Sequence, residues 1–296
     1  MEWIADRTSS SDNLFGNHTG LNLAAYAQAE LEATDRLTLS AGTRYDRYRT
    51  DARPAERRIS PKFGLSYRPW EHTSLRSALG WGFRGPSIAE TYTNAVFSGI
   101  PIVPNPDLVA ERSLSYEIGL DRRFATWLHL DLAAFWSRYK DLIEARPDAT
   151  GVISFRNVSK GRIAGLEASV RASWRHLGFE GSYTLLDATE DLPSGSAPLP
   201  YRPRHLAAGS LRTTFGKLTL EGRLTCRSRI QRASGLFPEG TRDLIPTYLV
   251  DLSAACALGP VDLTLKVHNA LEYNYTTVER NLGPPRRLSL GVSGTF

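Results

Sequence analysis

Leu21-Asn-Leu-Ala-Ala-Tyr-Ala-Gln-Ala-Glu-Leu31 carries an apolar side chain at every odd position and a polar one at most even positions (Asn22, Gln28, Glu30). A period of two sends successive side chains to opposite faces of an extended chain, so the stretch reads as a strand with one apolar face. The beat recurs along the sequence. Leu37, Leu39, Ala41 and Tyr45 stand against Thr38, Ser40, Arg44 and Asp46. Val261, Leu263, Leu265 and Val267 alternate with Asp262, Thr264, Lys266 and His268. Leu288, Leu290, Val292 and Phe296 alternate with Arg287, Ser289, Gly291, Ser293 and Thr295.

Thirteen strands follow from this pattern, near residues 18–34, 35–50, 57–69, 71–84, 108–124, 126–144, 152–175, 177–190, 201–215, 217–232, 246–258, 260–272 and 285–296. The segment 152–175 is long enough for two. Connections alternate in length. Short ones fall at Thr34-Asp35, Pro69-Trp70-Glu71, Ala125, His176, Gly216 and Gly259-Pro260. Long ones cover roughly 51–56, 85–107, 145–151, 191–200, 233–245 and 273–284. A soluble sandwich explains alternating strands with one wet face, but its strands average about 5–6 residues and its loops follow no such rule. An outer-membrane barrel has tight turns on one rim and long loops on the other, and its polar lumen accounts for the second face.

Composition fits this reading. The 296 residues include 6 Trp, 12 Tyr and 11 Phe, too many aromatics for a chain that cannot bury surface. Mean hydropathy is −0.30, and no uncharged apolar run of about 18 residues occurs, which argues against a helical membrane protein. The net charge is +5, and only five of the 36 basic residues are Lys (Lys62, Lys140, Lys160, Lys217, Lys266), which leaves 31 Arg. These are scattered along water-facing positions, with no basic run or zinc-finger spacing of the nucleic-acid kind. Nucleic acid is therefore not an expected partner.

Motifs for other chemistry are weak. Gly80-Trp-Gly-Phe-Arg-Gly85 matches a dinucleotide fingerprint formally, but Pro86 follows at once and the glycines end a strand rather than open a helix. The six His are scattered with no metal-ligand spacing, and no nucleophile motif appears, so no metal, cofactor or enzymatic activity is expected. Cys226 and Cys256 both lie at apolar-face parity. If 217–232 and 246–258 pair symmetrically across 233–245, Cys226 faces about residue 252 and sits roughly 13 Å from Cys256. That exceeds disulfide reach, so two free thiols are expected.

Two neighbouring segments carry a family resemblance: Gly82-Phe-Arg-Gly-Pro-Ser-Ile-Ala-Glu-Thr-Tyr92 and Asn105-Pro-Asp-Leu-Val-Ala-Glu-Arg-Ser-Leu-Ser-Tyr-Glu-Ile-Gly119. Together they resemble the barrel of TonB-dependent outer-membrane receptors, where a strand ends in a G-F-R-x-P-S-like turn. An external loop follows in that family, and the next strand opens with N-P-x-L-x-x-E and continues as Y-E-x-G. The matching positions are Gly82, Phe83, Arg84, Pro86, Ser87, Asn105, Pro106, Leu108, Glu111, Tyr116, Glu117 and Gly119. Phe135-Trp-Ser-Arg-Tyr-Lys-Asp-Leu-Ile143 is similar to a later strand. Asn157-Val-Ser-Lys-Gly-Arg-Ile-Ala-Gly-Leu-Glu167, with Gly165 and Glu167, is similar to another. Val267-His-Asn-Ala-Leu271, with Asn269, is similar to the last hairpin. Phe296 resembles the terminal aromatic read by the barrel assembly machinery.

The resemblance implies about 13 strands of a 22-stranded antiparallel transmembrane β-barrel, with 18–296 as its C-terminal portion and residues 1–17 as an external loop or disordered start. It implies a plug domain, a coupling segment and a signal peptide outside this chain, which would make it a fragment of the receptor. An odd strand count, counted back from Phe296 at the periplasmic rim, places residues 1–17 outside the cell. The implied function is energised uptake of a scarce ligand, a ferric siderophore or cobalamin, across the outer membrane of a diderm bacterium. Implied partners are outer-membrane lipid, the ligand and the assembly machinery, with the energy-coupling protein reached through the plug. Ligand contacts are expected on the long loops at Arg84, Tyr92, Asn94, Phe97, Arg229, Arg232 and Arg242: arginines suit anionic ferric siderophores and aromatics suit catecholate rings. The alternatives are a passive porin or structural barrel, a soluble all-β binding module and a barrel hydrolase.

Overall fold

The computed structural model describes residues 2–12, 14–51, 53–97, 99–192, 194–233, 245–278 and 281–294. Fourteen long strands form one antiparallel meander: β1 (Glu2–Asp12), β2 (Gly16–Thr34), β3 (Leu37–Thr50), β4 (Arg53–Trp70), β5 (Thr73–Arg84), β8 (Glu111–Ala125), β9 (Leu128–Pro147), β10 (Ile153–Trp174), β11 (Leu177–Leu192), β13 (His205–Phe215), β14 (Leu218–Arg227), β15 (Thr247–Leu258), β16 (Val261–His268) and β19 (Arg287–Gly294). Short strands β6 (Ala95–Phe97), β7 (Ile100–Ile102) and β12 (Gly195–Pro198) join the same sheet, which makes 17 strands in all. A helix, α1 (Ile88–Tyr92), and a separate pair, β17 (Thr276–Val278) with β18 (Asn281–Leu282), complete the described elements. The barrel is not closed: β1 pairs with β2, β19 pairs with β16, and neither edge has a second described neighbour.

Register shows why the alternation decides the fold. Leu39 faces Leu65, Leu75 faces Leu120, Leu120 faces Leu132, Leu166 faces Leu185, and Leu265 faces Leu290. Directly paired residues share a face, so one apolar surface runs from β2 to β19. Its side chains are exposed: Leu166 is 53%, Ile118 49% and Leu290 76% accessible. The other face carries ion-paired charges. Arg76 donates to Asp131 at 2.5 and 2.9 Å, Arg44 to Asp46 at 2.9 Å, and His129 lies 2.6 Å from Asp121. An apolar exterior and an ion-paired interior are what a barrel wall in lipid requires.

Turns at one rim are tight. Thr34 Oγ1 accepts from the backbone N–H of Arg36 and Leu37, closing the β2–β3 turn. Gly216 and Gly259 take positive φ in the two-residue turns after β13 and β15, where a Cβ would be strained. The other rim carries the long connections.

Several expectations need correction. Residues 2–12 are a strand, in register with β2 from Glu2↔Tyr26 to Asp12↔Gly16, not an external loop or disordered start. The stretch Arg7-Thr-Ser-Ser-Ser-Asp12 is polar at both parities, so alternation gave no signal there, and pairing to β2 supplies the order instead. Among the described residues the wall has fourteen long strands rather than thirteen, and β1 consequently starts at the tight-turn rim. The expected loop at 51–56 is shorter, because β4 starts at Arg53. Residues 153–174 are one strand, not two. The 85–107 loop is partly ordered into α1, β6 and β7. Cys226 faces Tyr248 and Cys256 faces Leu218, because β14 leaves the ladder at Arg227 and the pairing is offset from symmetric. Both cysteines are free. Phe296 lies outside the described residues.

Candidate functional site

The rim with long connections is held together by polar clamps, and motif residues build most of them. At the end of β5, Ser87 caps α1. Its hydroxyl accepts from the Glu90 N–H, and the Glu90 carboxylate accepts from the Ser87 N–H, a reciprocal capping box. Arg84 donates to both carboxylates beside it: Nε and Nη2 to Glu111 at 2.7 and 2.6 Å, Nη1 and Nη2 to Glu90 at 2.9 and 3.0 Å. Burial pushes the Glu90 carboxyl up, but the bonds from Arg84 and Ser87 outweigh it and hold the group below its usual range. Glu111 also accepts the Ile143 N–H at 2.8 Å, tying β8 to β9. The Tyr48 ring lies against Gly85, and its hydroxyl donates to the Pro86 carbonyl. His18 stacks on Tyr92 with centroids 3.4 Å apart and planes 7° from parallel. A cavity of about 370 Å³ opens beneath this turn, lined by Asn22, Arg44, Asp46, Tyr48, Arg84 and Ser87.

Two asparagines staple the loop after β7. Asn105 Nδ2 donates to the Phe155 carbonyl at 2.7 Å, and its Oδ1 accepts from the Asp107 N–H. Asn157 accepts from the Val109 N–H and donates to the Val109 and Asp141 carbonyls. Leu108 between them is fully buried, with Pro106 in the preceding turn. Lower on the charged face, Glu117 meets Arg76 at 3.4 Å, and the Arg76 guanidinium lies over Gly119. Gly165 accommodates the Phe135 ring. Glu167, with Glu117, Lys62 and Ser137, lines a second cavity of about 540 Å³. Tyr116 points to the apolar exterior and is 43% exposed. Asn269 is buried after β16, where it bonds Tyr273 and the Pro284 carbonyl.

Sequence reading missed one cluster. Glu190, 1% exposed, accepts from Arg146 on β9 and from Arg232 after β14, the latter at 2.6 Å. Arg232 also donates to the Pro198 carbonyl. The end of β9 and the segment after β14 thus meet on one carboxylate near the end of β11. A lone Glu near a strand end has no sequence signature, and partners 44 and 42 residues away leave none either.

The residues expected to meet a ligand divide into two groups. Arg84, Tyr92 and Arg232 are engaged in the rim: Arg84 on two carboxylates, Tyr92 buried under His18, and Arg232 on Glu190. Asn94, Phe97 and Arg229 are exposed on the loop surface, with Phe97 74% accessible. Arg242 lies outside the described residues. Among the described residues, no three His, Cys, Asp or Glu side chains are grouped to hold a metal ion.

Comparison with known proteins agrees with this architecture. A model of the β-barrel of TonB dependent receptor-like proteins matches residues 4–270. The hemin receptor of Yersinia pestis is 27% identical over 169 residues, covering 50% of this chain and 25% of that protein. The ferrienterobactin receptor of Escherichia coli K12 is 25% identical over 208 residues, covering 57% of this chain and 27% of that protein. The siderophore receptor PirA of Acinetobacter baumannii superposes with a TM-score of 0.73 at 17% identity, over 99% of this chain and 51% of that one. The chain therefore spans about a quarter of these curated relatives and about half of the solved structure. The relatives are named as receptors, and the family's members are outer-membrane proteins. With its meander, its two-faced wall and its motif-built rim clamps, the chain belongs to the TonB dependent receptor-like β-barrel family.

Proposed function

We propose that this chain forms barrel wall and external loops of an energised outer-membrane receptor that takes up a ferric siderophore or a similarly scarce, bulky ligand. The observation that carries the reading is the clamped rim: the end of β9 and the segment after β14 are fixed on Glu190 near the end of β11, and α1 is fixed by Arg84. A passive pore needs no such fixed platform above its wall. The long-loop rim faces outward, and the edges at β1 and β19 pair with further wall strands of a 22-stranded barrel. Residues 2–296 are the C-terminal barrel portion, with the plug and its contact to the energy-coupling protein elsewhere in the whole receptor. Folding passes through the barrel assembly machinery, which reads Phe296. Exposed Asn94, Phe97, Arg229 and Arg242 contact the ligand, and Arg84, Tyr92 and Arg232 hold the surface that presents them. The relatives support a hemin or catecholate-siderophore class of ligand.

The test is transport by the whole receptor in cells lacking their own siderophore receptors. Uptake of radiolabelled iron as the ferric catecholate, abolished by a proton uncoupler, is the expected result. Uncoupler-insensitive passage of small solutes, as in liposome swelling, would identify a passive pore instead.

A further inference from the structure

Glu144, at the rim end of β9, lies beside the Glu190 clamp. Glu190 pairs with Gly161, at the same parity of β10 as Gly165 and Glu167 of the charged face. The two carboxylates are served unequally. Glu190 takes Arg146 and Arg232 as hydrogen-bond donors. Glu144 takes none among the described residues, and its ion pair with Arg202 is long, at 3.7 Å. Yet the Glu144 side chain is only 16% exposed. A carboxylate withdrawn from water without a donor keeps much of its desolvation cost.

Arg202 is held as loosely. It sits in the connection from β12 to β13, its side chain is 41% exposed, and it donates to the Pro200 carbonyl at 3.4 Å. The backbone around it is anchored: the Tyr201 N–H donates to the Arg232 carbonyl at 3.0 Å, and Leu199 is fully buried. The other charges near Glu144 are engaged. Arg146 and Arg232 are taken by Glu190, and Glu111 on β8 is held by Arg84. Arg156 on β10 stands opposite Glu144 in register and donates to Ser154 at 2.9 Å. Arg146, Arg156, Arg202 and Arg232 thus outnumber Glu144 and Glu190, an excess of guanidinium groups that suits an incoming anion.

Burial pushes the Glu144 carboxyl up. Arg202 and Arg146 oppose it, Glu190 and Glu111 add to it, and the balance lies above the usual carboxylate range. An anion seated on Arg202 brings a like charge toward Glu144 and diverts the cation that opposes the rise. The bound state therefore favours the protonated carboxyl more than the free state does. By linkage, binding draws a proton onto Glu144, and affinity rises as pH falls through the raised range.

We propose that Arg202 is a ligand-binding cation covered by Glu144, and that an oxygen-rich anionic ligand displaces Glu144 from it while that carboxylate takes up a proton from solvent. The inference rests on the receptor reading above and adds to it the charge of the ligand and a proton coupled to its capture.

The test measures the affinity of the whole receptor, extracted in mild detergent, for a ferric catecholate at pH 8 and pH 6. Folding is checked by the heat-induced mobility shift on gels. The ligand's own titration cancels when each variant is divided by the wild type at the same pH. Glu144→Gln removes the competing charge, so it is expected to bind about threefold tighter than the wild type at pH 8, with the advantage narrowing at pH 6. Glu144→Asp keeps a titrating carboxylate and should follow the wild type at both. Arg202→Gln should bind about threefold weaker, and adding Glu144→Gln to it should restore nothing. A ratio of Glu144→Gln to wild type that is the same at both pH values overturns the inference, as does wild-type affinity in Arg202→Gln. Either result, alongside uncoupler-sensitive iron uptake, leaves the receptor reading intact. A wild type that binds no ferric ligand at either pH overturns both.

Discussion

Arg232 Nη1 donates to Glu190 Oε1 at 2.6 Å across 42 residues of sequence, and Arg146 donates to the other oxygen of the same carboxylate. The carboxylate is 1% exposed, and the Arg232 side chain is 33% exposed. Removing the acid leaves two cations in a partly desolvated site. Glu190→Ala should destabilise the rim by about 2–4 kcal/mol, somewhat below the roughly 3–5 kcal/mol of a fully buried pair because Arg232 is partly screened. Protease nicking between residues 228 and 246 should rise in Glu190→Ala while the barrel keeps its heat-induced gel shift. An unchanged nicking rate would show that the clamp does not hold the connection.

The capping box at α1 predicts a pH dependence. The Glu90 carboxyl is held below its usual 4.5 by Arg84 and Ser87, against the opposing effect of burial. A depressed carboxyl contributes stability above its unfolded pKa, and the contribution is lost as pH falls through the lower folded value. Protection of residues 85–97 from proteolysis by an acid-active protease should therefore persist at pH 4.5 and fail only below it. In Glu90→Gln the acid-induced change should shrink, because Gln does not titrate. Protection lost well above pH 4.5 in the wild type would contradict this.

Two motif glycines are explained by what stands over them. A Cβ on Gly165 would sit 2.5 Å from the Leu185 carbonyl oxygen and 2.6 Å from Phe135 Cζ, and the backbone oxygen cannot move away. A Cβ on Gly119 would meet the Arg76 guanidinium at 2.6 Å and displace it from Asp131. Gly165→Ala and Gly119→Ala should each cost about 1–3 kcal/mol through overpacking. Gly222→Ala, whose Cβ would find only Leu252 Cδ2 at 3.5 Å, serves as the near-neutral control. Midpoint temperatures of the gel shift should rank the three accordingly.

These cases show what the sequence makes legible. Strand identity and facing were readable because lipid outside and water inside impose a period of two on every crossing. The tight turns at Gly216 and Gly259-Pro260 were readable from Gly and Pro. The strand at 2–12 was not, since Arg7–Asp12 is polar at both parities and is ordered by its partner. The rim clamps were half readable: Arg84, Glu111 and Asn157 stood in motifs, but their roles as internal staples appear only when loops far apart in sequence meet. Glu190 was invisible because its partners are long-range.

The exposed and engaged residues of the rim should separate in transport. Phe97→Ala and Arg229→Ala remove exposed side chains that make no clamp, so the folded gel shift should remain and the half-saturating ferric-ligand concentration should rise several-fold. Arg84→Ala strands Glu90 and Glu111 together, two carboxylates without their shared cation, so receptor level at the surface should fall before affinity does. Equal transport by Phe97→Ala, Arg229→Ala and the wild type would move the ligand surface away from these loops.

Asn269 gives the sharpest test of a motif residue acting through the backbone. It sits at φ 48, a left-handed conformation that Asn tolerates and most L-residues do not. Its Oδ1 accepts from the Tyr273 N–H at 2.8 Å, and its Nδ2 donates to the Tyr273 and Pro284 carbonyls at 3.0 and 3.2 Å. One side chain thus closes the turn after β16 and ties it to the approach to β19. Asn269→Ala loses those bonds and adds left-handed strain, about 2–4 kcal/mol together. Asn269→Gly loses the bonds but not the backbone freedom, so it should be milder by about 1 kcal/mol. Asn269→Asp keeps the acceptor for Tyr273 but sets a carboxylate against two carbonyls, so it should rank with Ala at neutral pH and recover partly as the group protonates. Gel-shift midpoints for the three variants at two pH values measure this order. A glycine variant less stable than alanine would show that backbone conformation is not what Asn269 supplies.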